Sequence, residues 1–258
     1  MGAVIAEQPL ITGHGTPESA WQAWSRLADL PVTIAAQLVP PNSRAVIVAP
    51  HPDDEVLACG GLLQQLHAQG SHIVLLAVTD GEASHPGSRR FSTGDLARLR
   101  PRETEAALQA LGLSDSTAIR SVRAHLADGR VNASMDQLHN LLLQLLRPGD
   151  VVFVTWRQDG HPDHEACGLA TALAARACGA TLVETPVWTW HWAAPGDRRV
   201  PWHRAKRLSL TAEQLEGKRR AAACFTTQLH AEPETGHEAV LPPHVLARLL
   251  RSYEVYFT

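Results

Sequence analysis

The sequence predicts an α/β domain of three layers, with helices on both faces of a mostly parallel sheet in a Rossmann-like arrangement. Three observations predict it. From Arg44 onward, short apolar runs alternate with longer amphipathic ones, the signature of repeated βα units. Gly70, Gly112 and Gly179 each close an amphipathic run, where a residue tolerant of left-handed backbone is favoured. Finally, 258 residues with 45% hydrophobic and 19% charged side chains suit one large soluble domain with a sizeable core.

In chain order, residues 1–40 form an N-terminal extension, with one helix from Pro17 to Leu30 where Trp21, Trp24 and Leu27 recur at helical spacing. The domain proper runs over 41–258. Strands are predicted at Ala45 to Pro50, His72 to Thr79, Ile119 to Val122, Asp150 to Thr155 and Thr181 to Trp190. Between and after them, helices are expected at Glu55 to Gln69, Gly94 to Leu111, Ser134 to Leu146, Asp163 to Cys178 and Ala212 to Phe225. The Pro-, Gly- and Arg-rich stretch from Trp192 to Arg204 reads as a long loop able to serve as part of a lid.

Composition narrows the function classes. A net charge of −3 without a basic stripe argues against nucleic acid as partner. No apolar run reaches the roughly 18 residues of a membrane span, and the N-terminus lacks the build of a signal peptide. Cys59, Cys167, Cys178 and Cys224 are far apart and unpaired in pattern, so buried thiols and a cytoplasmic location are expected. Homo-oligomerisation stays open.

Chemistry concentrates at two strand-to-helix junctions. After the first strand of the domain comes Pro50-His51-Pro52-Asp53-Asp54-Glu55, and after the fourth comes Gly160-His161-Pro162-Asp163-His164-Glu165. Taken singly, each acid reads as a helix cap. Two such clusters on the carboxyl edge of one parallel sheet instead converge where ligands bind. His51 and Asp54 can face one point, and His161 and His164 stand one helical turn apart. Two His and one carboxylate suffice for a metal site with an open position, which leaves a His and an Asp for proton transfer.

These motifs resemble those of the LmbE-like, PIG-L-type zinc deacetylases. Further matches are Thr79-Asp80-Gly81-Glu82, the Arg102-Glu103 pair and a segment from Lys218 to Gln228, so the resemblance extends over most of the chain. It implies one Zn²⁺ per chain held by His51, Asp54 and His164, with Asp53 as general base and His161 as a cationic group near the oxyanion. Fe²⁺ or Co²⁺ could occupy such a site as well. It also implies removal of an N-acetyl or other N-acyl group from a small amino-sugar conjugate. The alternatives are an amidase for longer-acyl or thiol-conjugate amides, or a non-catalytic sugar binder. A nucleotide-binding reading fails because the glycine fingerprint is missing after the first strand.

Asp163, between the two histidines, is expected to orient His51 or His161. Asp159 stands where some family members carry a tyrosine. It is expected either to keep His161 cationic or to bind substrate hydroxyls. Asp80 and Glu82 are candidate sugar contacts, Arg102 a partner for an acid or an anionic group, and Trp190 with His191 a candidate binding wall. The remaining histidines, such as His67, His125, His139 and His237, receive no role.

Overall fold

The computed structural model describes residues 11–113, 119–232, 235–236 and 238–258, so residues 1–10 of the extension and His237 lie outside it. Its strands are β1 (Val32–Thr33), β2 (Ala45–Ala49), β3 (Ile73–Thr79), β4 (Ile119–Leu126), β5 (Val151–Thr155), β6 (Thr181–Thr185), β7 (Ala205–Ser209) and β8 (Tyr253–Phe257). The helices are α1 (Glu18–Ala23), α2 (Ser25–Ala28), α3 (Ala35–Leu38), α4 (Asp54–Ala68), α5 (Thr93–Ala110), α6 (Met135–Leu145), α7 (Pro162–Cys178), α8 (Thr189–Trp192), α9 (Ala212–Ala222), α10 (Thr226–Leu229) and α11 (Pro243–Leu249). Among the described residues no helix is long and apolar enough to cross a membrane.

One eight-stranded sheet runs β1-β7-β8-β6-β5-β2-β3-β4, parallel except where β8 pairs antiparallel with β6 and β7. Successive strand residues point to opposite faces, and both faces are covered. In β2, Ala45, Ile47 and Ala49 join the core that contains Leu62 and Leu66 of α4. Val46 and Val48 join the core that contains Leu138 and Leu142 of α6 and Ala170 and Ala174 of α7. Every residue of β2 and of β5 is buried, as strands covered on both faces must be.

The chain leaves β2 for β3 and β4 on one side, then returns to β5 on the other side of β2. Successive crossovers therefore diverge between β2 and β5, and a crevice opens at their carboxyl ends. His51 to Asp54 follow β2 and His161 to His164 follow β5, so both motifs border that crevice.

Three expectations change. The strand expected to reach Trp190 ends at Thr185. Pro186 has no N–H to give a ladder, and Asp159 takes the N–H groups of Val187, Trp188 and Thr189, turning the chain into α8. The N-terminal helix is two short ones, because Trp24 is extended between α1 and α2. The Trp192 to Arg204 stretch is pinned by Trp202, whose ring stands 4.8 Å from Trp24 and 5.9 Å from Trp21, and by Arg199 over the Trp192 ring. None of it lines the cavity described below.

The extension is integral to the sheet. Its β1 pairs with β7, and Trp21 is fully buried with its indole N–H donating to the Trp190 carbonyl at 3.0 Å. Trp21→Ala should cost about 3–5 kcal/mol, the range for truncating a buried aromatic. Denaturant unfolding would measure it, and a loss under 1 kcal/mol would refute the packing role.

Candidate metal centre

Three donor atoms meet at the head of the crevice. His51 Nδ1 lies 3.2 Å from His164 Nε2 and 3.4 Å from Asp54 Oδ2, and His164 Nε2 lies 3.3 Å from the same carboxylate oxygen. In a tetrahedral site with ligands about 2.0–2.1 Å from the ion, neighbouring donors stand roughly 3.3–3.4 Å apart. The triangle thus fits a small divalent cation by geometry and by donor chemistry.

The outer nitrogens decide which lone pairs face inward. His51 Nε2 lies 3.2 Å from Asp163 Oδ2 and 3.3 Å from Asp128 Oδ1, while His164 Nδ1 lies 2.8 Å from Asp159 Oδ2. Carboxylates only accept, so these nitrogens carry the protons and leave His51 Nδ1 and His164 Nε2 free as donors to a metal. Asp163 is itself fixed by the N–H groups of Gly129 and Val131.

Asp53 occupies the N-cap position of α4 but makes no capping hydrogen bond. Its backbone is at φ 137°, a region non-glycine residues avoid, and its N–H is held by Glu55 Oε2 at 3.0 Å. The carboxylate lines the cavity instead. Burial, then the charge of Asp54, holds it well above the usual carboxylate range against the opposing pull of Arg100. Burial likewise pushes Glu55 up to about 7.

Burial alone would lower both imidazoles of the triangle, but carboxylates outweigh it. Bonds to Asp128, Asp163 and Asp54 hold His51 well above the ordinary value, and Asp54 with Asp159 raises His164 to about 9. His161 goes the other way, to about 3, through burial and then the charges of His164 and His51. This direction, together with the Asp163 N–H on Nδ1, favours a neutral ring over the expected cation. Its Nδ1 accepts the Asp163 N–H, which leaves Nε2 as the N–H donor.

Among the other expected residues, Asp159 is fully buried and holds His164, so it neither supports a cationic His161 nor reaches substrate. Asp80 pairs with Arg123 and His125, Glu82 accepts from the Asp128 N–H, and neither lines the cavity. Arg102 is exposed. It is Arg100, two residues earlier, that enters the site, sharing the buried face of α5 with Glu103 one turn on. Trp190 packs against Trp21 at 5.1 Å behind the wall, whereas Trp188 and His191 line it. Sequence reading missed Asp128 and Arg248 and reached Gln228 only as the end of the Lys218 to Gln228 match; Asp128-Gly129, just past the carboxyl end of β4, carried a local signal.

Residues 46–175, half of the chain, match the family model described as GlcNAc-PI de-N-acetylase, PIG-L. The chain belongs to the PIG-L family. It is 29% identical over 155 residues to 1D-myo-inositol 2-acetamido-2-deoxy-alpha-D-glucopyranoside deacetylase 1 of Catenulispora acidiphila, covering 49% of this chain and 47% of that one. It is 28% identical over 131 residues to the probable N-acetyl-alpha-D-glucosaminyl L-malate deacetylase 2 of Bacillus cereus, covering 50% and 59%. The chain thus spans about half the length of the curated relatives it matches. In fold it resembles the zinc-inhibited form of teicoplanin deacetylase Orf2, with a TM-score of 0.57, 18% identity and coverage of 72% and 85%. The PIG-L match contains both histidine motifs, while the C-terminal wall of the cavity lies outside it.

Two measurements test the centre. Without an ion, His164 is protonated below about pH 9, so a cation must displace a proton. Metal affinity should tighten as pH rises toward about 9, and calorimetry in buffers of different ionisation enthalpy should show proton release. Asp159→Asn should weaken metal binding about 10–100-fold, as loss of a ligand-orienting carboxylate does. Chelator competition would read it, and unchanged affinity would refute the role.

Proposed function

We propose that this protein is a metal-dependent hydrolase that removes an acyl group from the amide nitrogen of a small amino-sugar conjugate. The observation that carries the reading is the 3.2–3.4 Å donor triangle with the uncapped carboxylate of Asp53 in the same cavity. His51, Asp54 and His164 would hold the ion. Zn²⁺ suits two imidazoles and one carboxylate with an open position, as Fe²⁺ and Co²⁺ also can. When bound, such an ion supplies Lewis acidity toward an acyl oxygen and brings the acidity of water near neutral pH.

The chain's own groups do the rest. Asp53, kept basic by burial and by Asp54, accepts the proton of the attacking water. The neutral His161 donates its Nε2–H toward the developing oxyanion, a dipole preorganised by the Asp163 N–H on its other nitrogen. Asp53, protonated by the first step, then delivers that proton to the leaving amine.

Substrate class is supported by two features. Arg100 Nε and Gln228 Oε1 are buried without partners among the described residues, and both residues line the cavity with Asp128. A donor, an acceptor and a carboxylate grouped in this way match a ring bearing hydroxyls. The names of the relatives point to acylated amino sugars as well.

Asp53→Ala should retain metal while amine release from N-acetylglucosamine conjugates falls about 10²–10⁴-fold, the scale of losing a general base. Metal analysis and an amine assay on the same preparation check both halves. Full turnover in the variant would sink the assignment.

A further inference from the structure

The cavity of about 290 Å³ has two unlike faces, and the sheet order sets them on opposite sides of the donor triangle. Toward β3 and β4 stand Ser84, Arg100 and Asp128. Toward β6 and β8 stand Val187 and Trp188, with Leu241, Val245 and Leu249 from the C-terminal segment, whose helix α11 packs against α8. Leu57 of α4 completes this second wall. The triangle lies between, on the ends of β2 and β5.

Hydrogen bonding differs as sharply as composition. On the first side Arg100 Nε has no partner among the described residues, and neither does Oε1 of Gln228 at the border. The amide of Gln228 cannot flip to hide this, because its Nε2 donates to the Pro52 carbonyl at 2.7 Å. On the second side the polar groups are already engaged. Arg248 donates to the carbonyls of His14 and Thr16 and to His191 Nδ1, and His191 Nε2 donates to the Thr12 carbonyl. With those donors and acceptors engaged, the other lining groups on this side are hydrocarbon and one indole.

An amide sends its two halves away from the carbonyl carbon in opposite directions. With that carbon at the triangle, the hydroxyl-bearing amine half belongs on the polar side and the acyl half on the apolar side. We infer that the acyl group is a short hydrocarbon chain longer than acetyl, since six apolar side chains from three parts of the chain line that side of the cavity. This rests on the hydrolase reading above. The reaction is hydrolysis with no other reactant: the C–N bond breaks, a C–O bond forms from water, and a short fatty carboxylate and a protonated amine leave.

The test is a series of N-acetyl-, N-butyryl-, N-hexanoyl- and N-octanoylglucosamine given to the full, metal-loaded chain, with amine release measured. kcat/KM should rise about fourfold per methylene beyond acetyl until the chamber is full, the increment expected of a buried CH₂. Val245→Phe, which fills the chamber, should lower the hexanoyl-to-acetyl ratio at least tenfold, and Leu249→Ala should move the optimum to a longer chain. Acetyl as the best substrate of wild type, or a ratio that neither variant moves, would overturn the inference and leave the hydrolase reading standing. No amine release from any member by wild type would overturn both.

Discussion

Asp54 offers one carboxylate oxygen to the His51 main-chain N–H at 3.0 Å and to a ring nitrogen of His51 and of His164 at 3.4 and 3.3 Å. Burying that oxygen would be costly without compensation, and the compensation is the convergence of two strand ends. The carboxylate draws both imidazoles toward protonation when no metal is present, and Asp163, Asp128 and Asp159 reinforce the effect from behind. The fold therefore concentrates negative charge on a point that only a cation or protons can neutralise. The ring tautomers of His51 and His164 follow from this arrangement, whereas the lowered proton affinity of His161 comes first from its burial and is opposed by Asp54 and Asp163.

The same junction separates roles among adjacent acids. Asp54 points into the triangle from the first turn of α4, while Asp53, one residue earlier, is forced to positive φ and left without a cap bond. Glu55 holds the strained N–H, so the strain is supported from within the motif. Behind α5, Glu103 accepts from Thr226 and Thr227, anchoring the turn whose next residue, Gln228, grips the Pro52 carbonyl. The C-terminal segment is thereby tied to the motif turn and to the cavity at once.

Much of this was legible before any coordinates. The apolar runs located the four parallel strands that matter, β2, β3, β5 and β6, and the motif positions marked the crevice. The edge strand β1 and its neighbour β7 carry little signal, because Val32–Thr33 is too short for periodicity and Ala205–Ser209 is largely polar. Arg102 was preferred to Arg100 because adjacency to Glu103 is visible in a string, whereas the buried face of a helix with Pro101 inside it is not. Trp190 looked like a wall residue because β6 was read five residues too far.

The sequence by itself determined the chemistry available: which donors exist, that they follow strands, and that a second carboxylate accompanies them. Local spacing is enough for that, because strand ends and helix starts are short-range features. Tertiary structure alone decided who serves whom. Asp159 became the support of His164, Asp128 joined Asp163 behind His51, His161 became neutral, and residues 240–249 closed the apolar wall. These outcomes depend on contacts across tens to hundreds of residues, where burial and neighbouring charge set proton affinity and no local pattern records them.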